Sequence, residues 1–263
     1  MDYLSIISSI NKDNKISESC NAIVYKKGKY IIKMIALDKA HTNEIKALKK
    51  LTKIKSSKYF ISRYRKSIKT NINIYIVMET LTGPDLFDMA GCYQKIEEYI
   101  IIMRHLLHGL EFMHNNGIVH RDIKLENIVL DKKCPKYVDF GHSILLDDMK
   151  HNFRTGGTIK CLSPELLELY NHSVLDFSQL NEIKKILIAS DIWALGISFY
   201  ELINNRMAFC DRNIMVLKND VKERDIFSYT NTFLDQVVED MLTKDYHLRP
   251  NISEILTQLD RNL

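Results

Sequence analysis

The chain has 263 residues, enough for one large domain or two small lobes around a sizeable core. Its 46% hydrophobic and 27% charged residues suit an ordinary soluble globular protein, and a net charge of +4 is too mild for a nucleic-acid or membrane surface. Five scattered cysteines without a CxxC pair argue against a disulfide framework and a zinc site and suit a reducing compartment. The N-terminus has no secretory signal pattern, and no apolar run approaches the ~18 residues of a span, so no membrane span is expected.

In chain order, roughly the first eighty residues predict mainly β-structure with one helix. "AIVYKKGKYIIKMIAL" carries two β-branched and aromatic runs around "KKGK", a hairpin signal. "HTNEIKALKKLTKI" places Ile45, Leu48 and Leu51 at helical spacing. The lysine-rich stretch at 46–58 reads as a solvated helix face and loop. "INIYIVMET" predicts another strand, and Gly83-Pro84 then marks a junction. Beyond it, residues 93–117 predict a long helix stopped at "NNG". Short strands are expected around "HRD" and "DFG", residues 189–205 are apolar enough for a buried helix, and the remainder predicts further helices. No internal repeat is present.

Phosphoryl transfer needs a group that orients the attacking hydroxyl, a cation near the transferring phosphate and oxygen ligands for a divalent metal. "HRDIKLEN" supplies those types on one loop as Asp122, Lys124 and Asn127, and "DFG" adds the carboxylate of Asp139. Either motif alone is weak; together at this distance they specify one site. His120 and Trp193 read as core residues, His120 packing on Phe140.

On these motifs the chain resembles a eukaryotic-type serine/threonine protein kinase from about Ile16 to about Leu259. "YIIKMI" is similar to the family's "VAIK" strand, which implies that Lys33 contacts the α- and β-phosphates and pairs with Glu44. "YIVMETLTGPDLF" resembles the hinge, with Met78 as gatekeeper and Glu79 to Leu81 facing the adenine. Asp85 matches the ribose position, and the resemblance adds Ile16, Val24 and Val129 to the ATP-binding residues. "GTIKCLSPE" resembles "GTPxYLAPE", so Thr158 would fix Asp122 and Lys124. "SDIWALG" implies that Asp191 braces the catalytic loop, and Arg249 would pair with Glu165. Lys124 and Thr158 accompany serine/threonine specificity. Asp85, Glu126 and Glu201 match positions that receive arginines upstream of the acceptor in basophilic members, although generic carboxylates are an equal reading. Arg121 belongs to the pattern of kinases ordered by an activation-segment phosphate. Thr155 is the best-placed acceptor and Ser143 a lesser one, yet so short a segment can be ordered without modification.

Two features depart from the family. "SESCNAIVY" aligns with "GxGxxGxVY" with Ser17, Ser19 and Ala22 in place of the glycines that let a backbone approach phosphates. Small side chains there could still leave backbone N–H groups aimed at phosphates. Ile31 replaces the small residue above the adenine. Both changes predict weaker ATP binding, by roughly 1–2 kcal/mol, and a raised KM. Residues 168–189 are longer than the compact pattern, as a partner-docking insert or merely an extended loop and helix.

The expected fold is α+β, the bilobal kinase fold, as a single domain over 1–263: a small β-rich N-lobe to about 79, a hinge at 79–84 and a helical C-lobe from 85. Expected ligands are ATP with Mg²⁺ or alternatively Mn²⁺, and a protein substrate. No nucleic acid partner is expected, and the chain reads as a monomer. The expected location is the cytoplasm or another intracellular reducing compartment, the host cytoplasm if this compact chain is viral. The alternative function is a pseudokinase scaffold.

Overall fold

The computed structural model describes residues 3–261 apart from 41, 94, 154, 172–176, 212 and 227–232. A short helix α1 (Tyr3–Ser8) precedes an antiparallel sheet of β1 (Lys15–Glu18), β2 (Ala22–Lys27), β3 (Tyr30–Ala36), β4 (Tyr64–Lys69) and β5 (Asn73–Glu79), in spatial order β1-β2-β3-β5-β4. The expected hairpin joins β2 to β3, and Gly28 takes the left-handed φ of 55° that its tight turn requires.

The period-two alternation of β3 separates two surfaces. Tyr30 and Ile32 face outward with Val77, where Tyr3, Ile6 and Ile7 of α1 cover them. Ile31, Lys33 and Ile35 alternate to the other face. Here α2 (Thr42–Thr52) buries Glu44, Ala47, Leu48 and Leu51, one stripe at helical spacing. A single turn, α3 (Ser57–Phe60), follows. The N-terminal region therefore holds three helices where one was expected. The two extra ones are six and four residues long. Helices so short have little periodicity of their own and depend on tertiary packing.

The rest is mostly helical. Helix α4 (Ile96–Asn115) runs through the core and stops just before Gly117. The strands β6 (Ile118–Val119), β7 (Ile128–Asp131), β8 (Cys134–Tyr137) and β9 (Ile144–Leu145) form two small ribbons, β6 with β9 and β7 with β8. These flank the loops carrying Asp122 and Asp139. Then come α5 (Met149–Asn152), α6 (Pro164–Asn171), α7 (Leu180–Asn204), α8 (Ile214–Glu223), α9 (Phe233–Met241) and α10 (Ile252–Asp260).

By length and composition α7 could cross a membrane, but 78% of its apolar window is buried inside the fold. It is a core helix, buried around most of its circumference from Ser190 to Leu202, with Trp193 fully enclosed. Of the long segment 168–189, residues 172–176 lie outside the described residues. The rest comprises the end of α6, a 3₁₀ turn at Phe177–Gln179 and the first turns of α7.

Candidate active site

Lys33 sits opposite Val24 of β2 and Ile76 of β5, in the middle of the sheet. Its Nζ donates to both Glu44 oxygens at 2.9 and 3.0 Å and to Asp139 Oδ1 at 2.7 Å. Burial opposes the charge on Lys33, and the carboxylates of Glu44 and then Asp139 more than offset it, holding the ammonium above its usual pKa. Burial dominates at Glu44 and raises its pKa despite the Lys33 partner. Desolvation also opposes ionisation of Asp139, but Lys33 and the Gly141 amide override it and draw the carboxyl down to about 2. Asp139 keeps 45% of its side chain exposed, so a second face remains open. Its φ of 56° is unusual for a non-glycine residue, as is the 67° of Arg121. Such conformations persist where the surrounding structure enforces them.

A second cluster is built on Asp122, which is buried. Its Oδ1 accepts from the Thr158 amide at 2.9 Å and the Thr158 hydroxyl at 2.8 Å, and its Oδ2 accepts from Asn127 Nδ2 at 2.9 Å. Lys124 Nζ lies 3.6 Å from Asp122 Oδ2 and donates to the Thr158 hydroxyl at 3.0 Å. The loop is held from beneath by Asp191 of α7, which accepts from the amides of His120 and Arg121, both at 2.8 Å, and contacts His114 Nε2 at 3.0 Å. A carboxylate this buried is tolerated because its oxygens are all engaged.

His120 stands against Phe140, ring centres 4.9 Å apart. Its Nε2 faces the Val138 carbonyl and its Nδ1 faces the Asp122 amide, so Nε2 carries the proton and Nδ1 accepts. Further out, Arg249 and Glu165 form a two-pronged ion pair at 2.7 and 3.1 Å.

Against the first cluster lies a cavity of about 610 Å³, lined among others by Ser17, Val24, Lys33, Lys39, Arg121, Asp139 and Thr155. It takes in only Val24 and Lys33 of the eight expected ATP-binding residues; Ile16, Met78, Glu79, Leu81, Asp85 and Val129 lie outside its lining. Ile16 is 57% exposed on β1, and Asp85 forms a backbone bridge with Val129. Met78 is buried directly across from Ile31, the bulky residue expected to narrow the adenine end. The Glu79 carbonyl accepts from the Ser62 hydroxyl at 3.0 Å.

The glycine-less loop corrects one expectation. Ser19 Oγ accepts from the amides of Asn21 at 3.3 Å and Ala22 at 3.2 Å, while the Ser19 amide donates to the Ala22 carbonyl at 2.8 Å. Three amides that small residues could have left aimed at phosphates are turned inward. For those of Asn21 and Ala22 the physical cause is the serine hydroxyl, which closes its own turn where glycine cannot, and the Ser19 amide is taken by a backbone carbonyl. Composition signalled that the loop departs from the family, but the direction of its amides is seen only in the geometry. Lys39, a residue without any sequence signal, donates to the Cys20 carbonyl at 2.6 Å and brings a second ammonium to the cavity.

Glu126 and Glu201 come together beside Lys160, whose Nζ is 3.9 Å from Glu126 Oε1. Burial raises the Glu201 pKa, with Lys160 acting against it, and Glu201 Oε1 has no hydrogen-bond partner. Asp85 instead caps the Asp88 amide at 3.0 Å. Ser143 is buried and bonded to the Phe140 carbonyl, whereas Thr155 is exposed at the cavity.

A five-stranded antiparallel sheet above a helical body, with a lysine–glutamate–aspartate cluster facing a braced aspartate loop, defines the bilobal kinase class. The protein kinase domain family matches residues 15–259, and the chain belongs to that family. It is 30% identical over 205 residues to the serine/threonine-protein kinase ppk16 of Schizosaccharomyces pombe, covering 75% of this chain and 28% of that protein. It is 31% identical over 204 residues to the SNF1-related protein kinase catalytic subunit alpha KIN12 of Arabidopsis thaliana, covering 74% and 38%. CBL-interacting serine/threonine-protein kinase 17 of the same plant is 32% identical over 165 residues, covering 60% and 35%. The chain spans less than two fifths of the length of each of these relatives.

Proposed function

We propose that this chain is a serine/threonine protein kinase that transfers the γ-phosphoryl group of ATP to a protein hydroxyl. The observation that carries the reading is Asp122: buried, fixed by three hydrogen bonds, with Lys124 beside it. Asp122 orients the acceptor hydroxyl and takes its proton as the oxygen–phosphorus bond forms and the bond to ADP breaks. Lys124 balances charge on the transferring group, and Lys33, set by Glu44, grips the α- and β-phosphates.

No group of three or more His, Cys, Asp or Glu among the described residues is arranged to hold a metal unaided. A cation of the Mg²⁺ type is bound by one or two protein oxygens plus phosphates. Asp139 offers its open face, and Asn127, its amide nitrogen committed to Asp122, offers its carbonyl oxygen. Mg²⁺, or alternatively Mn²⁺, would neutralise phosphate charge there.

We read the acidic pair Glu126 and Glu201 as the receptor for a basic residue preceding the acceptor, since a buried carboxylate oxygen without a partner favours a cationic guest. We further read the chain as one monomeric domain, with the boundaries expected above, working in a reducing compartment. Five free cysteines support the last point.

Incubation with labelled ATP, Mg²⁺ and a generic basic protein, beside Asp122→Ala, tests the reading. Labelling above that control is the expected result. Labelling equal to the control, with no thermal shift from MgATP, would establish the alternative: an interaction scaffold, favoured by the inturned loop amides.

A further inference from the structure

Arg121, next to Asp122, is buried at 7% exposure. Its Nη2 donates to the Tyr170 hydroxyl at 2.7 Å, and its guanidinium carbon lies 5.0 Å from the centre of the Phe153 ring. The Tyr170 hydroxyl in turn donates to the Gly156 carbonyl at 2.9 Å. A phenol has one proton and two acceptor lone pairs, so both bonds form at once. Phe153 meets Tyr170 edge-on, ring centres 6.4 Å apart.

The same turn touches Arg121 a second time. Gly157 has φ +102°, and a Cβ there would stand 2.6 Å from the Arg121 carbonyl oxygen. Only glycine lets the chain rest on that carbonyl. The next residue, Thr158, supplies both hydrogen bonds to Asp122 Oδ1. The contacts close a ring from Tyr170 through Arg121, Asp122, Thr158 and the two glycines back to Tyr170. The Tyr170 hydroxyl joins the two loops from α6, as Asp191 of α7 braces the Arg121 amide from beneath.

We propose that Tyr170 is a positioning residue: its hydroxyl locks Arg121 to the 156–158 turn and so holds Asp122, ordering this segment without an added phosphate. The proposal rests on the reading of Asp122 as the group that orients the acceptor hydroxyl. It concerns a residue on α6, outside the loops that carry Asp122, Lys124 and Thr158.

Tyr170→Phe keeps the ring and its packing on Phe153 and removes only the two hydrogen bonds. One of them is to a charged partner, so kcat is expected to fall about tenfold. The KM for ATP is expected to move less than kcat, because the ring holds Asp122 while the Lys33–Glu44–Asp139 contacts are not part of it, although Arg121 also lines the cavity. The Thr158 amide, measured by hydrogen exchange without substrate, exchanges faster in the variant. A kcat within twofold of wild type overturns the proposal, including the case where only the melting temperature drops and the hydroxyl is merely structural. Phosphatase-treated wild type is expected to keep its turnover, and loss of turnover after that treatment also overturns it. Should wild type show no turnover at all, the kinase reading has failed and exchange alone decides. Faster exchange at Thr158 in Tyr170→Phe then upholds the positioning role, and equal exchange refutes it.

Discussion

Replacing Ser19 by glycine is expected to lower the KM for ATP. In the wild type the Ser19 hydroxyl holds the Asn21 and Ala22 amides at 3.3 and 3.2 Å. Removing it frees both to face a phosphate. A hydrogen bond to a charged acceptor is worth about 1.5–3 kcal/mol in favourable settings, and an exposed loop earns the low end. Glycine's extra freedom costs about 0.5–1 kcal/mol to order. The difference, about 1 kcal/mol, corresponds to a roughly fivefold lower KM. The kcat should not move, since Asp122, Lys124 and Lys33 are untouched. Initial rates across ATP concentrations measure both constants, and the MgATP-induced thermal shift should grow in parallel. Ser19→Ala, which loses the hydroxyl but keeps a Cβ, should fall between the two. A KM for Ser19→Gly equal to or above that of wild type would refute the argument that the serine turn withholds these amides.

Three further outcomes follow from buried charge. Arg249→Ala strands Glu165 in a site where the arginine side chain is fully enclosed. Breaking a buried pair costs about 3–5 kcal/mol, which in a chain of this size lowers Tm by roughly 6–20 °C; a shift under about 2 °C by differential scanning fluorimetry would contradict it. Asp139 has its pKa drawn down to about 2, against about 3.9 in the unfolded chain. Its ion pair therefore stabilises fully above pH ~4 and is lost as pH falls towards ~2. The stability gap between wild type and Asp139→Asn should shrink across that window in acid titrations followed by circular dichroism, and a constant gap would show that the charge is not what Lys33 responds to. Lys160→Ala removes the internal cation beside Glu126 and Glu201. The kcat/KM advantage of an arginine-bearing peptide over its neutral twin should rise about two- to fivefold, and an unchanged ratio would mean that Lys160 does not compete with substrate.

What could be read from the sequence was what lies within one element or one loop. The runs around "KKGK" gave the β2–β3 hairpin, whereas which face of β3 meets α2 is seen only in the structure. "HRDIKLEN" carries Asp122, Lys124 and Asn127 on one loop, and the structure keeps them together, with Asn127 bonded to Asp122. Pairings across longer separations, such as Arg249 with Glu165 over 84 residues, came into view only through resemblance to a family. Where resemblance was silent, the contacts stayed hidden. Tyr170 lies 49 residues from Arg121, on a helix whose exposed and buried faces look ordinary in sequence. Nothing in "ELLELY" distinguishes a phenol that bridges two loops from one that merely packs.

The glycine-less loop was hidden for another reason. Composition predicted how much room its side chains would take, whereas the consequence lies in which way the amides turn. A serine hydroxyl can accept from the amides two and three residues on or leave them free, and the choice depends on torsions that residue type alone does not determine. On the proposed reading, local hydrogen-bond competition at this loop acts on nucleotide affinity alongside side-chain bulk. The ammonium groups of Lys33 and Lys39 attract phosphate to the cavity, and the Ser19 turn withholds the backbone donors that would otherwise hold it there. Electrostatic attraction of this kind is weakened by salt, whereas directed amide hydrogen bonds at short range are weakened far less. ATP binding by the wild-type chain should thus be more salt-sensitive than binding by Ser19→Gly.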